Sequence, residues 1–289
     1  MEITFKIPSK LILFGEHAVL DGARGISAAI SLVGRGKSVI SDSSEGILNL
    51  IFENEKIGEV GQVPPGTRTE FSLPFLPGCG LGSSAMIATV IGILQVLSDG
   101  ESIDKEKLRK KAMDQEKLFC PKISGIDHST VIEGGIVSFS ISTNSPEQIP
   151  NFIFKKNKLI LWNSGIQKNT KNEIEGTWKI QNRKEIIFRI SEICEEAHKE
   201  ITKEDPDLKE IHRLMKENQE LLELLGLCPE AMKNEILEMR KLGMEAKISG
   251  AGNGGYLYSI VPKDFQNRKG WIECQIDFDG VEVTVGKKT

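Results

Sequence analysis

Long apolar runs are missing from this chain of 289 residues: the longest, Ala85 to Leu94, is interrupted by Thr89 and is too short to span a bilayer. Disulfide and zinc frameworks are missing as well. The five cysteines (Cys79, Cys120, Cys194, Cys228 and Cys274) are odd in number and far apart, with no C-x-x-C pair. Nor is there an excess of positive charge. A net charge of −4 argues against a general nucleic-acid or anionic-membrane partner, so any anionic ligand must be held by local groups. The start, Met1-Glu2-Ile3-Thr4-Phe5-Lys6, lacks a basic segment followed by an apolar one, so a signal peptide is not expected and a cytoplasmic, reducing location is. No internal repeat or low-complexity tract occurs. What remains is an ordinary globular composition, 39% hydrophobic and 27% charged, long enough for one large domain or two medium ones.

What is present is organised around Pro77-Gly78-Cys79-Gly80-Leu81-Gly82-Ser83-Ser84-Ala85. Three glycines at alternate positions leave backbone N–H groups unshielded by side chains, so an anion can approach the main chain. Two hydroxyls follow, and Met86 to Leu94 continues as a nearly all-apolar helix. The first N–H groups of such a helix have no intrahelical partner, and its dipole is positive where the glycines sit. A phosphate suits that place. On these residues alone, a glycine–serine cap on a buried helix is an equally good reading. Walker A is absent, because Gly82 and not a lysine precedes Ser83. Gly80 to Ala85 fits the dinucleotide pattern G-x-G-x-x-A, but Pro74 and Pro77 interrupt the strand that pattern needs. A second glycine match, Gly250 to Gly255, leads into the β-branched and aromatic run Tyr256 to Val261, a strand where a helix is required. NAD is therefore not indicated.

Along the chain, Ile3–Ile7, Leu11–Phe14, Gly25–Ile30 and Ser38–Ile40 read as short strands, and Ser41 to Pro77 stays strand-like and turn-rich without a helical period. Ser102 to Phe119 is the next helix after the glycine loop. Leu108, Ala112 and Phe119 share a narrow arc, and Glu116 lies at its edge. A carboxylate half turned to a core is costly unless it meets a cation or a donor; otherwise it reaches solvent at the helix margin. Gly134 to Ser140 is a strand, and the polar stretch Thr143 to Asn151 marks a domain boundary. The apolar spacing of Ile186 to Ile201 and of Ile211 to Leu225 gives two amphipathic helices, and Pro229 opens a third that ends at Gly243. Ile272 to Val285 alternates like an edge hairpin.

Three segments in order, Pro8-Ser9-Lys10-Leu11-Ile12-Leu13-Phe14-Gly15-Glu16-His17, the Gly80 loop, and Lys247-Ile248-Ser249-Gly250-Ala251-Gly252-Asn253-Gly254-Gly255, resemble the motifs of the GHMP small-molecule kinases. The Gly-Glu-His-Ala-Val form of the first is similar to that of the mevalonate kinases. The resemblance runs from Ile7 to about Val261. It implies an α+β fold of two domains, residues 1–150 (ribosomal-S5-like, with a left-handed βαβ unit) and 151–289 (ferredoxin-like), with the active site between them. It implies ATP and Mg²⁺ as cofactors, a small alcohol such as mevalonate as substrate, and no nucleic-acid or membrane partner; dimers are common in the family. Within it, Ser124-Gly125-Ile126-Asp127 is similar to the active-site segment, which makes Asp127 the catalytic carboxylate and Lys10 its paired lysine. Glu116 and the hydroxyl of Ser84 fall on the magnesium ligands. Pro77, Gly78, Gly80, Leu81, Gly82, Ser83, Ser84 and Ala85 fall on the nucleotide phosphates. Glu16, His17, Lys168, Thr170, Ser249, Gly250 and Ala251 fall on the substrate.

Apart from that resemblance, Lys10 reads equally as a strand-edge lysine, Asp127 as a turn former or helix cap, and His17 and Thr170 as surface polar residues. His128 and His212 read as structural. The chain also departs from the family pattern: the helix usual between the first two motifs is lacking in Ser41–Pro77, Gly165-Ile166-Gln167 starts with no basic residue, and Asn253 stands where a glycine is usual. Asparagine tolerates the left-handed backbone that such a position demands. Phosphomevalonate, which would call for extra Arg or Lys, is the rival substrate. A silent ligand sensor of the same fold is the rival class, and it would normally lack Glu116, Asp127 or Lys10.

Overall fold

The computed structural model describes residues 2–41, 43–119, 123–143, 145–167 and 170–286. In chain order, β1 (Glu2–Phe14), a 3₁₀ turn (Ala18–Asp21) and β2 (Arg24–Ile40) are followed by β3 (Ile47–Phe52), β4 (Glu55–Val60) and β5 (Thr67–Ser72). Then come α1 (Ser83–Ser98), α2 (Lys105–Phe119), α3 (Ile126–Glu133), β6 (Ile136–Ser140) and β7 (Glu147–Ile149). The second part holds α4 (Ile153–Lys156), β8 (Asn157–Asn163), α5 (Thr170–Thr177), α6 (Arg183–Ile201), α7 (Leu208–Leu224) and α8 (Glu230–Lys241). It ends with β9 (Lys247–Ile248), β10 (Tyr256–Pro262), β11 (Trp271–Cys274) and β12 (Glu282–Val285). No helix among the described residues is long and apolar enough to cross a membrane.

Two strands form the spine of the larger sheet, each longer than the short stretches that the sequence predicts. β1 is continuous for 13 residues. Its first half alternates between exposed and buried, while Ile7 onward is buried or nearly so on both faces, as a fully apolar run requires. The register shifts between Pro8 and Ser9, where proline cannot donate to a ladder. β2 runs antiparallel to β1 along most of its length, with β6 and then β5 on its other edge. Two glycines between the stretches Gly25–Ile30 and Ser38–Ile40 are seats for rings. A Cβ on Gly34 would meet the Phe71 ring at 2.4 Å, and one on Gly36 the Phe5 ring at 2.2 Å. β5 then pairs in parallel with β3, and β4 closes that edge. As expected, the described residues from Ser41 to Pro77 carry strands and turns but no helix.

α1 is buried on all sides, from Ala85 and Met86 through Val90, Ile91, Ile93 and Leu94, as its apolar composition demands. α2 and α3 flank it. The second sheet, in the order β11-β8-β10-β9, is antiparallel. Its apolar side joins Ile248 and Leu257 to Ile187 and Ile190 of α6, Leu222 of α7 and Met232 and Ile236 of α8. The expected terminal hairpin is not formed. β11 pairs with β8 in the second sheet, whereas β12 returns to the first and pairs with β1, Ile3 opposite Val285. Asp277 makes the turn that separates them, its carboxylate accepting the N–H groups of Asp279 and Gly280. Two edge strands in different sheets alternate alike, so the pattern carried no record of the partner.

Candidate active site

The glycine loop lies directly on β1. The Lys10 backbone N–H donates to Leu81 O at 3.1 Å. Gly78, Gly80 and Gly82 take positive φ values of 87°, 83° and 83°. This alternation turns successive N–H groups inward, an anion-binding nest. Gly82 is the N-cap of α1, with no side-chain cap and no acidic residue in the first turn. The positive end of a buried helix is thus left for a ligand. A Cβ on Gly82 would lie 2.7 Å from Cγ of Lys10. Gly82→Ala is therefore expected to lose about 1–2 kcal/mol of stability from its left-handed backbone alone. It should also displace the Lys10 stem and weaken nucleotide binding. Urea unfolding together with a nucleotide titration checks both; wild-type values in the two would contradict the packing described.

Lys10 Nζ sits 3.0 Å from Oδ1 of Asp127, the lysine side chain 5% exposed and the aspartate 28%. Asp127 lies in the first turn of α3, whose N-cap is Gly125 in the left-handed region. Glu116 projects from α2 toward the same place and is buried. Nε2 of His128 lies 2.8 Å from its Oε2, and the Ser84 hydroxyl bonds to it. Burial works to raise the Glu116 pKa, but the His128 contact, the Ser84 bond and the charge of Lys10 outweigh it, and the net shift is downward. Glu116 therefore stays ionised, with a hydroxyl beside it at the end of the nest. Two hard oxygen donors next to a phosphate cradle fit Mg²⁺.

The first and third motifs meet on the other side. His17 holds an unusual backbone (φ 60°), and its Nε2 lies 3.1 Å from Ala251 O. Ser249 Oγ accepts the Ile12 N–H at 2.9 Å. Gly250 and Ala251 line a cavity of about 320 Å³ together with Lys10, Ser84, Glu116 and Asp127. Its apolar wall includes Val19, Leu20, Ile126 and Ile174. Glu16 is enclosed as well as adjacent to the cavity. Its side chain is wholly buried and bonded to Lys247, itself wholly buried between the rings of Phe14 and Tyr258. Burial raises the Glu16 pKa and lowers that of Lys247, each against the pull of the other's charge. The third motif opens on Lys247 without indicating a role for it, although a lysine between Ala246 and Ile248 in an apolar stretch is a signal of burial with a partner. His128, structural by its sequence context, touches Glu116.

One cavity thus brings together Lys10, His17, Gly78, Gly80, Gly82, Ser83, Ser84, Glu116, Asp127, Gly250 and Ala251, which are scattered over the sequence. Lys168 lies outside the described residues, and Thr170 opens α5 with its side chain outside them. The family profile described as GHMP kinases C terminal matches residues 187–269. The mevalonate kinase of Methanocaldococcus jannaschii is 30% identical over 293 aligned positions, spanning 89% of this chain and 91% of that protein. The mevalonate kinase of Archaeoglobus fulgidus is 28% identical across 96% of this chain and 98% of its own. A crystal structure of the Methanococcus jannaschii mevalonate kinase superposes with a TM-score of 0.75 over 94% of this chain and 98% of that one, at 24% identity. The chain belongs to the GHMP kinase family, is similar to the mevalonate kinases within it, and is a phosphotransferase with an alcohol group as acceptor.

Proposed function

We propose that this protein transfers the γ-phosphoryl group of ATP to the primary hydroxyl of mevalonate, giving 5-phosphomevalonate and ADP. The observation that carries the reading is the convergence of an ion-paired lysine and aspartate, a serine–glutamate pair and a bare-backbone nest in one partly apolar cleft. The cleft receives residues from both sides of the boundary expected near Thr143–Asn151, Lys10 to Asp127 from one and Ile174 to Ala251 from the other. Phosphoryl transfer needs alignment and charge neutralisation more than covalent help, and these residue types supply both. The nest and the start of α1 hold the phosphates. Ser84 and Glu116 would hold Mg²⁺, which when bound neutralises charge on the phosphate oxygens. Asp127 orients the alcohol by accepting its hydroxyl hydrogen, and Lys10 keeps the carboxylate aimed. The new bond joins the alcohol oxygen to phosphorus as the bond to the β-phosphate oxygen breaks; the hydroxyl proton passes by way of the Asp127 carboxylate to solvent, and ADP leaves.

The charge balance favours mevalonate over phosphomevalonate. Among the described residues lining the cleft, Lys10 is the only lysine or arginine, and Asp127 already engages it. Among the described residues, no lysine or arginine of the cleft beyond Lys10 is placed to meet the added charge of a phosphoryl group beside Glu116 and Asp127. The test is ADP release measured against a panel of alcohols that includes mevalonate and phosphomevalonate. Turnover largest with mevalonate is expected; turnover largest with another alcohol overturns the substrate, and nucleotide binding without turnover overturns the enzyme reading. Removing the carboxylate in Glu116→Ala should raise the Mg²⁺ concentration needed for half-maximal rate. A metal titration identical to wild type would contradict the ligand role.

A further inference from the structure

The third glycine loop carries a side chain that reaches α5. Gly252, Asn253, Gly254 and Gly255 all have positive φ, of 87°, 55°, 140° and 75°, so Asn253 is the one position of the four with a functional group. Asparagine occupies the left-handed region at little cost, and here the backbone is also clamped: the Asn253 N–H donates to Leu227 O at 2.6 Å. The fixed main chain aims the side chain at α5, where Nδ2 donates to Oε2 of Glu173. The same loop grips the chain that leads toward α5, because the Gly255 N–H donates to Ile166 O at 2.9 Å. The residue after Glu173 is Ile174, 8% exposed and part of the cleft wall that also contains Gly250 and Ala251.

From this juxtaposition we infer that Asn253 and Glu173 are a positioning pair: their bond fixes α5 against the third loop and so sets Ile174 against the alcohol. It rests on the reading of the cleft as the alcohol site. Neither residue lines the cavity, so the effect falls on substrate affinity more than on the chemical step. The bond has a charged acceptor, which places it among the stronger hydrogen bonds.

Two measurements on the full chain test the inference. In hydrogen exchange without ligand, Asn253→Gly, which keeps the backbone geometry, is expected to speed exchange of the α5 amides by about tenfold or more while those of α1 keep wild-type rates. In steady-state kinetics with the alcohol that the panel identifies, Asn253→Gly and Glu173→Ala should each raise KM for the alcohol by about tenfold, with kcat and the KM for ATP within about twofold. Glu173→Gln, which keeps an acceptor oxygen, should restore most of the affinity, and the double variant should be no worse than either single one. Unchanged α5 exchange, or additive effects in the double variant, would overturn the pair. The exchange arm does not depend on which alcohol is the substrate, so failure of the mevalonate assignment and failure of this inference are told apart.

Discussion

Asp127→Asn is expected to lower kcat by about 10²–10⁴-fold, the usual worth of a positioned acid–base group, while the protein stays folded and binds nucleotide. The substitution keeps the shape of the side chain and removes its charge. Asparagine can still receive one hydrogen bond but holds the hydroxyl hydrogen far less strongly than a carboxylate. Stability should change little, because Asp127 is partly exposed and Lys10 also feels the charge of Glu116. Nucleotide binding depends on the nest and on α1, which do not involve Asp127. Near-wild-type turnover in this variant would remove Asp127 from the chemistry.

Lys247→Met is expected to give the largest loss of stability, about 3–5 kcal/mol, because it strands a buried carboxylate. Glu16 and Lys247 are both fully buried, and Oε2 of Glu16 has no hydrogen-bond partner among the described residues. The loss should depend on pH. Burial already raises the folded-state pKa of Glu16, and removing the lysine raises it further. A folded carboxyl with a raised pKa holds a proton that the unfolded chain has released, so stability falls as pH rises above the unfolded value. The variant should therefore lose more at pH 8 than at pH 5 in urea titrations. Replacing both residues, as Glu16→Gln with Lys247→Met, should recover much of the difference, since the stranded charge is gone. A Lys247→Met protein as stable as wild type at pH 8 would show that the pair does not carry this cost.

The local parts of the site were legible in the sequence. Alternating glycines followed by an apolar run determine both the nest and the buried helix α1, because each follows from backbone sterics and side-chain character within a few residues. Glu116 could be placed at the edge of a core-facing arc from helical period alone, although its neighbours His128 and Ser84 could not, since they come from other elements. Pairings across long separations were hidden for the same reason. Glu16 and Lys247 stand at opposite ends of the chain, and neither local pattern points to the other. β2 reads as two short strands because a sequence does not show that the Phe5 and Phe71 rings lie over Gly36 and Gly34. β12 alternates as any edge strand does, and only the folded chain says which edge it joins.

A crystal structure with a non-hydrolysable ATP analogue and mevalonate bound tests the central claim most directly. The account predicts phosphates seated on the N–H groups of Gly78 to Ser84 and the primary hydroxyl about 2.6–3.2 Å from the Asp127 carboxylate, facing the γ-phosphorus. Phosphates lying away from that turn, or a hydroxyl directed away from Asp127, would contradict it.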